Sequence, residues 1–90
     1  LVYQILELGK QYQWESGLDF GTGSGCIPIS LKKNRSDWGI SGMDISAAAL
    51  EVADENARLN GVEVHWKNQD ILERKAWATM PSYDFIVNVS

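Results

Sequence analysis

The sequence has very few of the residues that cross-link a chain or bind a structural metal. Its 90 residues include one cysteine, one histidine and two prolines. A single cysteine cannot form an internal disulfide, and one cysteine with one histidine cannot supply the four ligands of a structural zinc site. A disulfide-rich secreted scaffold is therefore excluded. No metal site is expected, and a reducing cytoplasm is the expected compartment.

The sequence also lacks a basic excess and any long apolar run. Eight Lys and Arg against twelve Asp and Glu give a net charge of −4. Nucleic-acid binding by this chain is not expected, because phosphate backbones are held by clustered cations. No apolar run approaches the ~20 residues that cross a bilayer, and no secretory leader is visible, so no membrane association is expected.

What the sequence does contain is an alternation of helical and strand-like segments. Apolar spacing predicts helices over 1–8, 26–33 and 46–60, and strands over 17–20, 39–43, 62–68 and 83–89. Gly9 is the expected end of the first helix, and Ser46 and Gly61 are the expected N-cap and end of the third. The alternating segment 62–68 suits a sheet edge, and the apolar segment 83–89 suits a central strand. This order predicts parallel βαβ units.

A glycine-rich turn, Gly21-Thr22-Gly23-Ser24-Gly25, joins the first strand to the second helix. Alternate glycines let a ligand touch the main chain, and a helix N-terminus offers unpaired N–H groups. A dinucleotide fingerprint would need glycine where Cys26 stands. Asp19, two residues before the first glycine, favours a cationic ligand such as S-adenosylmethionine. The alternative for the glycine-rich turn is a simple connection between strand and helix, and the alternative for Asp19 is a solvated acid at a strand end.

Two more acids follow later strands. Asp44 stands nineteen residues after Gly25, about where an acid binds ribose hydroxyls in nucleotide-binding α/β folds. A helix-end acid beside Ser46 is the alternative, and the two roles are compatible. Asp70 follows the third strand, where a carboxylate can accept a hydrogen bond from an adenine amino group and the next residue, Ile71, can pack on the ring. An ordinary loop aspartate is the alternative. We expect these acids to lie at one edge of the sheet, with the glycine turn.

No nucleophile and base stand in a recognisable arrangement. Cys26 is predicted to be a small buried helix residue, and His65 to lie on an exposed strand face. The four tryptophans are predicted to pack in the core and partly at the surface, because no basic residues alternate with them as in nucleic-acid stacking platforms.

Five segments carry a family resemblance that covers about residues 1–87. They are 18–27 (L-D-F-G-T-G-S-G-C-I), 43–46 (M-D-I-S), 56–57 (N-A), 68–70 (N-Q-D) and 83–87 (Y-D-F-I-V). Together they resemble the class I methyltransferases, and among these the HemK/PrmC group, the protein-(glutamine-N5) methyltransferases of peptide chain release factors. Related N-methyltransferases share much of the first segment.

The resemblance implies an α/β fold, a Rossmann-like α/β/α sheet of parallel strands, with S-adenosylmethionine as cofactor. Residues 1–90 would be its first half, without the family's helical substrate domain and last strands. By position, residues 21–25 would lie under the methionine end, Asp44 would bind the ribose, and Asp70 with Ile71 would flank the adenine. The expected cofactor-binding residues are Asp19, Gly21, Thr22, Gly23, Ser24, Gly25, Asp44, Ile45, Asp70 and Ile71.

The implied activity is methyl transfer to the side-chain amide nitrogen of a glutamine in a release factor, the implied partner. The family binds that amide through Asn-Pro-Pro-Tyr after the fourth strand. This sequence reads Asn88-Val89-Ser90 there, so no catalytic residue is assigned and the 90 residues alone are expected to be inactive. The alternatives are an N-methyltransferase acting on adenine or guanine of nucleic acid and a non-catalytic cofactor-binding module. Asp19 and Cys26 disfavour a nicotinamide-dependent oxidoreductase.

Overall fold

Four helices and four strands alternate along the chain in a computed structural model that describes residues 1–70 and 72–88. The helices are α1 (Val2–Tyr12), α2 (Cys26–Asn34), α3 (Ala47–Leu59) and α4 (Arg74–Thr79). The strands are β1 (Ser16–Phe20), β2 (Gly39–Asp44), β3 (His65–Asn68) and β4 (Phe85–Asn88). All strand pairs are parallel. The predicted α/β fold of parallel strands with flanking helices is confirmed.

The strand order, β3-β2-β1-β4, creates a switch point. The chain moves outward from β1 to β2 to β3, and then returns to place β4 on the other side of β1. The connections therefore diverge between β1 and β4. In open α/β sheets, ligands bind in the crevice beyond the carboxyl ends of the strands at such a point.

The outer strands confirm one prediction and correct another. β3 lies at an edge, as predicted, but begins at His65 rather than at 62, because the N–H of Val62 donates to the carbonyl of Ala57 and continues the turn after α3. The prediction that 83–89 is a central strand was wrong for the described sheet, in which β4 pairs with β1 alone. Its apolar residues are unequally covered: Phe85 is buried and Ile86 is 43% exposed.

The prediction that α1 ends at Gly9 was also wrong. The helix continues to Tyr12 and ends at Gln13, which adopts a left-handed conformation with φ of 57°. Gly9 is buried within the helix, where a Cβ atom would overlap the Trp38 ring. This glycine therefore permits close packing of α1 on the indole instead of ending the helix.

The ends of α3 are as predicted, and one residue of α2 is not. The Oγ of Ser46 accepts a hydrogen bond from the N–H of Ala49 (3.1 Å), and Gly61 has φ of 68°. Cys26 is exposed, contrary to its predicted burial. The buried face of α2 is formed instead by Pro28, Ile29 and Leu31.

Aromatic packing closes the amino ends of the strands. The Phe85 ring centroid lies 5.1 Å from that of Trp14 and 5.4 Å from that of Trp38. Around them a core cluster unites α1, α2 and the sheet through Ile5, Leu31 and Ile40. Within the described ranges, no helix has the length and apolarity to cross a membrane. The aromatic closure leaves the carboxyl ends of the strands as the place for polar side chains.

Candidate functional site

The glycine loop (residues 21–25) has a backbone that needs its glycines. Gly21, Gly23 and Gly25 have φ of 70°, 58° and 81°, values that disfavour any side chain. The N–H groups of Gly21 and Thr22 both donate to the carbonyl of Met43, at 2.8 and 3.1 Å. The loop is therefore fixed to the carboxyl end of β2.

Asp44 joins this loop to the start of α3. Its Oδ2 accepts a hydrogen bond from the N–H of Gly23 (2.9 Å), and its Oδ1 accepts one from the N–H of Ser46 (2.9 Å). A carboxylate has about four lone-pair sites, so these two bonds leave acceptor capacity for a ligand. The helix-end role and the ligand-binding role that the sequence left open for Asp44 are thus compatible.

A cleft of about 190 Å³ opens beside Asp44 at the carboxyl ends of the strands. Its lining residues are Phe20, Gly21, Met43, Asp44, Ile45, Gln69, Asp70 and Asn88. Gly21 follows β1 and Asn88 ends β4, so the cleft lies at the switch point of the sheet. Of the predicted residues, it brings together Gly21, Asp44, Ile45 and Asp70. A larger apolar concavity of about 580 Å³, between α1 and the β4 edge, contains none of them.

The remaining loop residues lie around the cleft rather than on its lining. Gly23 is half-buried, and a Cβ atom on it would meet nothing within 4 Å, so its main chain faces open space. Thr22 and Gly25, in contrast, are the buried residues of the loop. Ser24 is exposed towards the groove between α2 and α3, and its carbonyl accepts a hydrogen bond from Nδ2 of Asn56 (3.0 Å). Ile71 lies outside the described residues.

Asp19 is a buried acid, only 4% exposed, on β1 just before the loop. Burial raises the pKa of its carboxyl group, and the negative charge of Asp44 adds to that rise. Two carboxylates on neighbouring strands thus give this end of the sheet a negative potential. Such a potential favours a cationic ligand.

Asp70 has a local role within its own loop. Its Oδ1 accepts a hydrogen bond from the N–H of Leu72 (2.9 Å), which orders the turn after β3. The residue is half-buried and lines the cleft. One hydrogen bond leaves most of its acceptor sites for other donors.

Sequence reasoning missed four residues that line the cleft: Phe20, Met43, Gln69 and Asn88. Each stands at or beside the carboxyl end of a strand, and that position was the available signal. Asn88 is close to the loop, because a Cβ atom on Gly21 would lie 3.4 Å from its Oδ1. Over 1–70 and 72–88, no three His, Cys, Asp or Glu residues are grouped so that they could hold a metal ion.

The chain is similar to methyltransferases in sequence. The family model described as "Methyltransferase small domain" matches residues 4–88. The chain is 41% identical over 73 residues to the release factor glutamine methyltransferase of Streptococcus pneumoniae, an alignment that covers 81% of this chain and 25% of that protein. It therefore spans about a quarter of the length of that relative.

Solved structures share the fold. The ribosomal protein L11 methylase of Lactobacillus delbrueckii subsp. bulgaricus matches with a TM-score of 0.70 at 28% identity, over 97% of this chain and 45% of that one. PKMT2 from Rickettsia typhi, in complex with AdoHcy, matches with a TM-score of 0.73 at 21% identity, over 84% and 14% of the two chains. At that identity the second likeness shows the fold alone.

Proposed function

The chain belongs to the methyltransferase small domain family, and we propose that it forms the cofactor-binding part of a methyltransferase. The cofactor of this family is S-adenosylmethionine. The observation that carries the proposal is the double role of Asp44, which fixes the glycine loop through Gly23 and also lines the cleft. The same carboxylate therefore fixes the loop main chain that a ligand would touch and can itself accept hydrogen bonds from that ligand.

The residues around the cleft fit S-adenosylmethionine. The open space at Gly23 leaves the main chain accessible to a ligand. Asp19 and Asp44 supply negative charge, which suits a ligand with a sulfonium and an ammonium group. Ile45 is 72% exposed beside the acids and offers an apolar surface to a base.

Each group of residues has a proposed role. Asp44 would accept hydrogen bonds from the ribose hydroxyls, Asp70 from the adenine amino group, and the glycine loop would lie under the methionine end. Ile45, with Ile71, would pack against the adenine. When bound, S-adenosylmethionine supplies an electrophilic methyl group on sulfur. In-line displacement at such a group needs positioning more than acid–base chemistry, so the work of this chain is binding and orientation.

We propose a glutamine side-chain amide of a release factor as the acceptor. The supporting observations are the 41% identity to a release factor glutamine methyltransferase and the segments of residues 18–27 and 83–87. Such a substrate would place the reaction in the cytoplasm. The likeness to a ribosomal protein L11 methylase supports a second candidate, a different protein acceptor.

Calorimetric titration of S-adenosylhomocysteine tests the cofactor part of the proposal. We expect the wild-type chain to bind it, Asp44→Asn to bind it about 5- to 150-fold more weakly, and NAD to bind to neither. Asp54→Asn is the matched control, because Asp54 lies on α3 in an exposed ion pair with Arg58. Absence of binding by the wild type, or equal affinity for NAD, would contradict the proposal.

Transfer of a labelled methyl group tests the acceptor. Because residues 1–90 alone are expected to be inactive, the full-length protein would be incubated with labelled S-adenosylmethionine and, in separate reactions, with a release factor, ribosomal protein L11 and DNA. Label on the release factor supports the first candidate, and label on L11 supports the second. Label on DNA would support the nucleic-acid alternative. Cofactor binding with no labelled acceptor would indicate a non-catalytic module.

A further inference from the structure

We propose that Trp66 is a positioning residue whose indole supports the glycine loop from beneath and fixes its height above the sheet. The effect on cofactor affinity rests on the proposed function. The support itself is a property of the chain without ligand. Trp66 lies on β3 and lines no part of the cleft, so it would act through the loop rather than by touching a ligand.

The indole lies across two glycines. Gly42 is the register partner of Trp66 in the β2–β3 pair, and a Cβ atom on it would lie 2.5 Å from Cζ3 of the ring. A Cβ atom on Gly25, the last residue of the loop, would lie 2.9 Å from Cη2. Real Cβ contacts are longer than this, so both glycines leave the space that the ring fills. The ring thus reaches from the middle of β2 to the end of the loop.

Two helices enclose the same place. The Cβ point of Gly25 is 3.0 Å from Cβ of Ala53 on α3 and 3.3 Å from Cδ1 of Ile29 on α2. The indole Nε1 is buried with no hydrogen-bond partner among the described residues. A buried polar atom without a partner is unfavourable. The indole therefore contributes packing at this position and no hydrogen bond.

The hydrogen bonds of the loop would register any loss of this support. The N–H of Gly23 reaches Oδ2 of Asp44 at 2.9 Å, and the N–H groups of Gly21 and Thr22 reach the carbonyl of Met43. A smaller side chain at position 66 leaves space into which the loop can move, and these bonds would then open more often. The Gly23 amide is a direct reporter of loop position.

Amide hydrogen exchange of the ligand-free chain tests the support. In Trp66→Leu we expect the Gly23 amide to exchange at least about tenfold faster relative to the Gly39 amide, which donates to Glu15 at the other end of the sheet. Trp38→Leu is the matched control, because Trp38 is equally an indole packed on a glycine but far from the loop. It should not raise the exchange rate of the Gly23 amide relative to the Gly39 amide, because it loosens the amino end, where Gly39 is its neighbour in the chain. An unchanged ratio in Trp66→Leu would overturn the proposal.

A size exchange separates support from general destabilisation. Gly42→Ala adds a methyl group whose closest contact is the ring, at 2.5 Å from Cζ3 against 3.2 Å from Oγ1 of Thr22, and Gly42 has no positive φ that would disfavour alanine. Gly42→Ala should disturb the Gly23 amide, and the double variant Gly42→Ala with Trp66→Leu should restore a large part of its protection. Additive effects in the double variant would contradict a shared contact. Trp66→Phe, which is milder, should give an intermediate exchange ratio.

Titration with S-adenosylhomocysteine adds the functional readout. Trp66→Leu should bind it about tenfold more weakly than the wild type at a temperature where both are folded, and Trp38→Leu should bind it as the wild type does. If the wild type does not bind, the proposed function fails and the exchange experiment still decides the role of Trp66. If the wild type and Trp66→Leu bind equally, the positioning role fails and the proposed function stands.

Discussion

Trp38 and Trp66 are two indoles packed on glycines at opposite ends of the same parallel sheet. Trp38 is fully buried, packs on Gly9 of α1 and belongs to the core cluster at the amino ends of the strands. Trp66 packs on Gly42 and Gly25, beneath the loop at the carboxyl ends. The same residue type thus joins a helix to the core in one place and supports a candidate binding loop in the other. The packing of an indole on a glycine does not by itself distinguish a tryptophan of the core from one beneath the candidate site, whereas the position of the tryptophan along the strands does.

Aspartates at the two ends show the same division. Asp84, before β4, accepts hydrogen bonds through Oδ2 from the N–H groups of Glu15 (2.6 Å) and Ser16 (3.1 Å), and so fixes the start of β1. Asp44 also accepts two main-chain hydrogen bonds, but it does so while lining the cleft. The acid at the amino end is used within the fold, whereas the acid at the carboxyl end also lines the cleft in which we propose that the cofactor binds.

Removing the Trp38 indole gives the largest expected effect on stability. Trp38→Ala should lower the free energy of unfolding by about 3–5 kcal/mol, because a fully buried large side chain is replaced by a cavity. Urea denaturation measures the change. Affinity for S-adenosylhomocysteine, measured where the variant remains folded, should stay within about twofold of the wild type. A tenfold loss of affinity in the folded variant would break the division between the two ends.

A side chain at Gly23 should have the largest effect on binding. Gly23→Val places a branched side chain at φ of 58° and into the open space that a ligand would occupy. We expect at least a ~100-fold loss of S-adenosylhomocysteine affinity, about 2.7 kcal/mol. Calorimetry measures the affinity, and far-ultraviolet circular dichroism should show that most secondary structure remains. Gly39→Val is the control, because a Cβ atom on Gly39 also meets nothing within 4 Å but lies at the amino end. Unchanged affinity in Gly23→Val would remove the loop from the binding site.

The fold was predictable because its signals are local. Ser46 and Gly61 have the side-chain and backbone properties that begin and end a helix, and the structure uses them in that way. Asp44 ends β2 and Asp70 comes two residues after β3, and parallel strands bring such residues to one edge, where the cleft lies. Periodicity and the rule for parallel sheets were sufficient for these features.

What was missed depends on contacts between distant residues. Gly9 has the composition signal of a helix end, but its role is set by Trp38, twenty-nine positions later in the chain. Gly42 meets Trp66 only when β2 and β3 pair. A glycine inside a strand indicates a close approach of another group, and no local signal says which group it is.

Changing Asp44 tests whether one residue can serve both the fold and the ligand. Asp44→Asn replaces one carboxylate oxygen by an amide NH₂, so the side chain keeps one acceptor oxygen and loses the hydrogen bond from either Gly23 or Ser46. We expect a loss of affinity for S-adenosylhomocysteine of about 1–3 kcal/mol, because a charge-assisted acceptor is removed. Urea denaturation should show a loss of stability of about 1 kcal/mol. If stability falls and affinity does not, Asp44 is only a helix-end acid.

The smallest expected effect concerns Asp19. It sharpens the comparison most, because removal of its charge should raise stability at pH 7 and lower the affinity for S-adenosylmethionine. Burial and the charge of Asp44 raise the pKa of the Asp19 carboxyl group in the folded chain. The folded state therefore binds this proton more tightly than the unfolded state does. Its contribution to stability is complete at pH values below the unfolded carboxyl pKa of about 3.9 and is lost as the pH rises through the raised folded value.

Asp19→Asn should remove that dependence while keeping the shape of the side chain. In urea denaturation between pH 4 and pH 8, the wild type should lose stability relative to Asp19→Asn as the pH rises, and the variant should be the more stable of the two at pH 7. Its affinity for the cationic S-adenosylmethionine should fall, because a negative charge beside the loop is gone. Asp54→Asn, at an exposed position, is the control. Parallel stability curves for the wild type and Asp19→Asn would show that burying this carboxylate does not reduce stability. The burial of Asp19 would then no longer support a site for a cationic ligand.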